Sequence, residues 1–157
     1  MSAQDLLKLI KTDAADDFIA LANQSPGSSF EQLAQLLPAE AMNIRMRAAD
    51  LMGEAGNPEA LASLNVLLSD ADARVRAQAL FALSELGGYA SIIDRIAELL
   101  FRDADPQVRA LAVEALSNLH HASADRVIEQ AVDDPDSRVQ KAILRWRETV
   151  KQRPKPS

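Results

Sequence analysis

Apolar residues recur along this chain at helical spacing, and the helical pattern is itself repeated. Four segments align without gaps, and each starts on a branched apolar residue, here called the opener: Ile44, Val75, Val108 and Val139. Successive openers are 31, 33 and 31 residues apart. Most positions 4, 7, 8 and 11 after an opener are apolar, which makes one stripe along a helix. The pattern predicts several copies of one helical repeat.

A second apolar segment precedes each of these helices. It ends in an apolar pair eight residues before the opener: Leu36-Leu37, Leu67-Leu68, Leu100-Phe101 and Ala131-Val132. Each repeat is therefore predicted to consist of two helices joined by a short turn.

The predicted turns share a pair of aspartates, five and three residues before the opener. The pairs are Asp70 and Asp72, Asp103 and Asp105, and Asp134 and Asp136. The second aspartate of each pair is placed to accept hydrogen bonds from the first N–H groups of the next helix. Between repeats, Gly56-Asn57-Pro58, Gly87-Gly88 and His120-His121 indicate helix ends.

The two ends of the chain carry altered copies. Residues 1–29 hold a degenerate fifth copy, predicted to be an N-terminal cap, and residues 30–137 hold the core repeats. In the predicted C-terminal capping helix, residues 138–151, Gln140 replaces the usual arginine and Trp146 replaces a smaller residue. We expect Trp146 to cover the end of the core within one domain of residues 1–151. Residues 152–157 are predicted to be a basic, disordered tail.

The motif D-x-D-x-x-V-R-x-x-A-x-x-A-L at this spacing resembles the HEAT-like repeats named after phycobilisome lyases, a bacterial group, over about residues 30–150. The resemblance implies an all-α solenoid of about five helix pairs, with the second helix of each pair on the concave side. It also implies a ladder of ion pairs that joins Arg45, Arg76 and Arg109 to Asp72, Asp105 and Asp136. The same aspartates could be interpreted as a calcium or magnesium site, but a structural role is favoured.

Composition and charge narrow the class of protein. The chain has 28 alanines, 4% aromatic residues and no cysteine, which favours packed helices in a reducing, cytoplasmic compartment. No apolar run is long enough to span a membrane. Residues 138–157 hold seven of the 17 basic side chains and one of the 23 acidic ones, so the rest of the chain is acidic. An acidic surface disfavours nucleic acid as a partner.

The face of each second helix opposite the apolar stripe is the candidate partner-binding surface. It holds the residues 2, 3, 6, 9 and 10 positions after each opener, among them Gly53 and Ser117. The residues assigned to partner binding are Met46, Arg47, Asp50, Gln78, Phe81, Glu85, Leu111, Glu114 and Arg145.

Phe81 is the exceptional member of that surface. The equivalent residues in the other repeats are Asp50, Glu114 and Arg145, all charged. A phenylalanine at a position that is otherwise solvent-facing suggests an anchor for a partner protein. In the alternative interpretation, Phe81 turns sideways and is buried between repeats.

Catalytic and metal-binding patterns are missing from the sequence. The two histidines, His120 and His121, are adjacent at a predicted helix end, so their side chains diverge. HEAT-like di-iron hydroxylases use repeated His-Glu pairs, and the sequence has none. We therefore expect no enzyme activity, no metal and no cofactor.

The expected function is that of a non-enzymatic scaffold or accessory factor that docks on a larger protein or enzyme complex. The resemblance implies a cofactor-bearing enzyme as the partner, with nitrogenase as one candidate. The alternative is a subunit of a tetrapyrrole or other cofactor lyase, or a cofactor chaperone. A third hypothesis is that the basic C-terminal tail binds an acidic surface.

Overall fold

The computed structural model describes residues 2–86 and 92–153. Contacts group the chain into two compact units, Met1–Leu86 and Gly87–Ser157, here called unit 1 and unit 2. In the described residues, all regular secondary structure is helical. This confirms the predicted all-α fold of helical repeats. The predicted break at Gly87-Gly88 lies outside the described residues, and one domain over residues 1–151 stays a prediction.

Unit 1 contains three consecutive helix pairs. Their bounds are α1 Ala3–Lys11, α2 Ala15–Ala22, α3 Gly27–Leu36, α4 Met42–Ala55, α5 Leu61–Leu67 and α6 Ala73–Leu86. Short 3-10 turns at Leu37–Ala39 and Pro58–Ala60 lead from α3 towards α4 and into α5. First helices pack on first helices, α1 on α3 and α3 on α5, while α2 packs on α4 and α4 on α6. This two-layer order places α4 and α6 side by side.

Unit 2 contains two further pairs with the same order. The helices are α7 Ile93–Arg102, α8 Pro106–Asn118, α9 Ala122–Gln130 and α10 Ser137–Gln152. The second helices α8 and α10 pack together, and so do the first helices α7 and α9. In the described residues, units 1 and 2 thus supply the five predicted helix pairs.

The buried core follows the predicted stripe. Three openers, Val75, Val108 and Val139, are fully buried, whereas Ile44 is half-buried. Large fully buried side chains in unit 1 include Phe18, Phe30, Leu6, Ile10, Leu33, Leu37, Met52, Leu64 and Leu80. The degenerate first repeat contributes to this core, because Phe18 on α2 is fully buried.

The turns confirm the predicted role of the second aspartate. Asp105 and Asp136 accept hydrogen bonds from the backbone N–H groups of Gln107 and Arg138, at 2.8 Å each, and thereby cap α8 and α10. In the same way, Asp72 accepts from the N–H of Arg74 at 2.9 Å. These caps fix where α6, α8 and α10 begin, whereas α2 and α4 begin without a side-chain cap.

The C-terminal end differs from the prediction in one respect. Gln152 is the last residue of α10, and Arg153 donates to Asp125 of α9 at 2.6 Å. The basic tail therefore stays ordered through Arg153, because a carboxylate on α9 pairs with it. The remainder of the predicted tail, residues 154–157, lies outside the described residues.

Trp146 is buried, as predicted, with 5% of its surface exposed. Its indole Nε1 donates to the second oxygen of the Asp125 carboxylate at 2.7 Å. Asp125 thus joins α9 to the end of α10 through two partners, a role that the sequence did not reveal.

Candidate functional site

The ion pairs of the ladder correct one expectation. Arg45 donates from Nε and from one terminal nitrogen to both oxygens of Asp70, at 2.5 and 2.9 Å. Arg109 pairs with Asp134 in the same bidentate way, at 2.8 and 3.1 Å. In these two turns the arginine partner is therefore the first aspartate of the pair, and the expected partners Asp72 and Asp136 are wrong.

The physical reason is competition for the carboxylates. Asp72 and Asp136 already accept from the N-terminal N–H groups of α6 and α10, and they also accept from the side chains of Arg74 and Arg138. The first aspartate faces inward, since only 8% of the Asp70 side chain and 11% of the Asp134 side chain is exposed. Arg109 lowers the pKa of Asp134 by hydrogen bonding to it.

The remaining ladder residues, Asp105 and Arg76, also make hydrogen bonds within the turns. Asp105 caps α8, as described above, and its own N–H donates to the first aspartate, Asp103, at 3.0 Å. Arg76 donates to the backbone carbonyls of Asp70 and Ala71, at 2.8 and 3.1 Å. These residues hold the turns, so they are structural and lie apart from the candidate surface.

The candidate surface of unit 1 lies on α4 and α6, and we call it the α4–α6 face: Met46, Asp50, Glu54, Gln78, Phe81 and Glu85. Gln78 of α6 donates to Asp50 of α4 at 3.0 Å, which shows that the two helices present these residues on one side. Met46, Arg47, Asp50 and Gln78 line a shallow cavity of 230 Å³ on the same side. Phe81 and Glu85 follow Gln78 one and two turns later, so they continue this face.

Phe81 is exposed over 49% of its surface in the middle of this face. The alternative that Phe81 is buried between repeats is therefore wrong. Asp50, Glu54 and Glu85 are exposed around it, and Met46 is half-buried. The result is an aromatic side chain with an acidic surround.

Charge on the α4–α6 face is unbalanced. In the part of the chain that the structure describes, Asp50, Glu54 and Glu85 make no ion pair with a basic side chain. The nearby base, Arg47, pairs with Asp13 in the turn between α1 and α2. Arg47 is thus occupied by a residue outside the face, and three carboxylates stay uncompensated.

Four predicted surface residues are buried instead: Gly53, Ala110, Ser117 and Ala142. Gly53 of α4 has no exposed side, because a Cβ added to it would lie 3.0 Å from both Cα and Cβ of Ala82 on α6. Ser117 of α8 is 9% exposed. Gly53 and Ser117 stand nine positions after their opener, where the neighbouring second helix packs against them.

The equivalent surface of unit 2, on α8 and α10, has a different character. Arg145 and Glu114 form an ion pair at 3.0 Å across the two helices. Beside this pair is a cavity of 210 Å³, whose lining includes Asn118, Trp146 and Thr149. Leu111 is half-buried. This surface brings the remaining predicted residues together, but Glu114 and Arg145 pair with each other, and it has no exposed aromatic residue among the described side chains.

The sequence did not reveal a second exposed phenylalanine. Phe101 on α7 is exposed over 47% of its surface, although its equivalents Leu37 and Leu68 are buried. Phe101 belongs to a first helix of unit 2, so it is not one of the residues of the α4–α6 face. Its near-equal exposure makes it a natural comparison for Phe81.

His121 caps a helix and belongs to no metal-binding cluster of the described residues. His121 precedes α9 and accepts from the N–H of Ser123 through Nδ1 at 3.2 Å, which is a capping role. Within residues 2–86 and 92–153, no group of three or more His, Asp or Glu side chains could hold a metal ion. None of the described helices is long and apolar enough to cross a membrane.

Comparisons with known proteins agree with this fold. Human deoxyhypusine hydroxylase, solved in complex with glycerol, is similar in structure with a TM-score of 0.69 and 22% identity, over 79% of this chain and 44% of that chain. An engineered protein is similar with a TM-score of 0.58 and 21% identity, over 95% of this chain and 79% of that chain. The chain spans less than half of the hydroxylase, and at these identities the likeness concerns the fold alone.

Sequence comparison identifies the family directly. No curated protein matches the chain. Two adjoining segments, residues 30–93 and 93–146, match the profile of HEAT repeats, and together they span most of the chain. With its stacked helix pairs and repeated Asp–Arg turns, the chain belongs to the HEAT repeat family.

Proposed function

We propose that this protein is a non-enzymatic scaffold that binds another protein through the α4–α6 face, with Phe81 as the anchor. The observation that carries the proposal is the exposure of Phe81 at a position that the other repeats fill with charged residues. A half-exposed aromatic ring gains free energy when a partner removes it from water. Aromatic residues surrounded by polar ones are typical of the energetic centres of protein interfaces.

The partner is proposed to be a larger, cofactor-bearing enzyme, on which this chain acts as an accessory or assembly factor. The support for this step is the resemblance to HEAT-like proteins that accompany such enzymes, among which nitrogenase is one candidate. The sequence supports a non-catalytic role, because it has two histidines, no His-Glu pair and no cysteine.

Affinity purification from the native host tests the proposal. Tagged wild-type protein, Phe81→Asp and Phe101→Asp are each purified, and retained proteins are identified by mass spectrometry. We expect wild type and Phe101→Asp to retain the same partner and Phe81→Asp to lose it, with unchanged helical circular dichroism in all three. Phe101→Asp is the matched control, since the two rings are equally exposed.

Two results would contradict the proposal. If Phe81→Asp retains the partner as well as wild type does, the α4–α6 face is not the binding surface. If the absorption spectrum of the purified protein shows a bound chromophore or metal, the result favours the cofactor-lyase alternative over the scaffold.

A further inference from the structure

The α4–α6 face is negatively charged, and this charge indicates the chemistry of the partner segment that it binds. Asp50 and Glu54 are four residues apart on α4, and Phe81 and Glu85 are four residues apart on α6. Residues at this spacing lie on one helix face, about 6 Å apart. Packed helices have axes about 8–10 Å apart. The three carboxylates therefore lie within roughly 10 Å of the Phe81 ring.

In the described residues, no basic side chain forms an ion pair with these carboxylates. Arg47, the base on the same helix, is engaged by Asp13. The comparable surface of unit 2 balances its charge internally, because Arg145 pairs with Glu114 at 3.0 Å. The unbalanced charge is thus specific to the face that carries the exposed aromatic ring.

We infer that the segment of the partner that contacts the α4–α6 face is cationic, with lysine or arginine side chains around an apolar residue. This inference rests on the proposed function, because it names the chemistry of the partner for the same surface. The apolar residue packs on Phe81 and Met46, and the aliphatic stems of the basic residues extend over the ring. Their charged ends reach the surrounding carboxylates, and a guanidinium over Phe81 adds a cation–π contact.

A pair of synthetic helical peptides tests the inference without the native partner. One peptide places lysines around leucines, and the other has glutamate at every lysine position. Binding to the 157-residue chain is measured by fluorescence anisotropy at low and at physiological salt. We expect the lysine peptide to bind more tightly than the glutamate peptide, and its affinity to fall as salt rises.

Matched variants separate recognition by this face from general attraction to an acidic protein. The face variant carries Asp50→Asn, Glu54→Gln and Glu85→Gln. The control carries Glu31→Gln, Glu129→Gln and Asp133→Asn, which remove three exposed acidic charges elsewhere. We expect the face variant to bind the lysine peptide about tenfold more weakly, and the control to change the affinity by less than about twofold. Phe81→Ala should weaken binding as well.

Some results would overturn the inference. Equal losses in the face and control variants would show that the attraction is not localised, and equal binding of the two peptides would show that charge does not select the partner. Affinity purification of the native partner distinguishes failure of this inference from failure of the proposed function. A partner lost by Phe81→Asp but retained by the face variant would leave the anchor intact and refute only the cationic segment.

Discussion

Gly53 shows at the scale of one residue how the α4–α6 face is held together. Within a helix, glycine costs up to about 1 kcal/mol relative to alanine, so its presence needs a packing reason. Here a Cβ would lie 3.0 Å from the Cα and Cβ of Ala82 and 3.0 Å from a carboxylate oxygen of Glu85. Because Gly53 has no side chain, α6 approaches α4 closely, and the Glu85 carboxylate lies next to Gly53.

We predict that Gly53→Ala destabilises the protein. Overpacking against the backbone of α6 costs about 1–3 kcal/mol, and the gain in helix propensity offsets part of it. The free energy of unfolding, measured with urea, should fall by about 1 kcal/mol. Asn65→Ala, at an exposed position of α5, is the control and should leave stability unchanged or slightly higher. A Gly53→Ala protein as stable as wild type would refute the close packing of α4 and α6.

At the scale of residues, the sequence predicted the exposure of a side chain correctly where that exposure depends on its own helix alone. Phe81 lies opposite the apolar stripe of α6 and is exposed, as expected. Gly53 and Ser117 lie on the same side of their helices, yet both are buried. A helical wheel describes one helix and its own stripe. It contains no information on the neighbouring second helix, which covers these two positions.

At the scale of elements, the paired aspartates build each turn from two different contacts. Asp70 accepts from the N–H of Asp72 at 2.9 Å and from Arg45, while Asp72 caps α6. The cap was predictable because its donor lies two residues away in sequence. The ion pair joins residues 25 positions apart, and spacing could not choose between two aspartates only two residues apart.

We predict different costs for the two aspartates of this turn. Asp70→Ala leaves the mostly buried Arg45 guanidinium without its carboxylate and should lower the free energy of unfolding by about 2 kcal/mol. This is less than for a fully buried pair, since 15% of the Arg45 side chain meets water. Asp72→Ala removes a half-buried helix cap and should cost less. Thermal denaturation of both variants measures the difference. A larger loss of stability in Asp72→Ala would favour Asp72, and not Asp70, as the main partner of Arg45.

The turns also predict how stability depends on acid. Hydrogen bonds from Arg74 hold the pKa of Asp72 at about 2, below its usual value of 3.8. A lowered pKa means that this carboxylate stabilises the fold above about pH 4 and loses that effect as the pH falls towards 2. Asp72→Asn should therefore be less stable than wild type at neutral pH, and the gap should narrow below pH 4. A gap that stays constant down to pH 2 would show that the charge of Asp72 does not contribute.

At the scale of the molecule, periodicity made the fold predictable. Four aligned openers and three aspartate pairs were enough to predict the helix pairs and HEAT-like repeats, and profile matches to HEAT repeats over residues 30–93 and 93–146 agree. The binding surface was less predictable. Phe101 aligns with Leu37 and Leu68, which are fully or almost fully buried, yet Phe101 is exposed. Periodicity reports which face of a helix is apolar, but tertiary packing decides which apolar residues are covered.

The distribution of charge over the molecule supports a partner-binding surface on α4 and α6. In the described part of unit 1, the acidic side chains around Phe81 have no basic partner, whereas on the second-helix surface of unit 2 Glu114 pairs with Arg145. One surface therefore combines an exposed aromatic ring with uncompensated charge. This combination is the basis for assigning partner binding to α4 and α6.

Photo-crosslinking at a single position tests this assignment most directly. The photoreactive amino acid p-benzoylphenylalanine replaces Phe81 in one protein and Phe101 in another, and each is irradiated in the native host. We predict a specific crosslinked partner from position 81 and none from position 101, although the two native rings are exposed to 49% and 47%. A partner captured from position 101 and not from position 81 would contradict binding through the α4–α6 face.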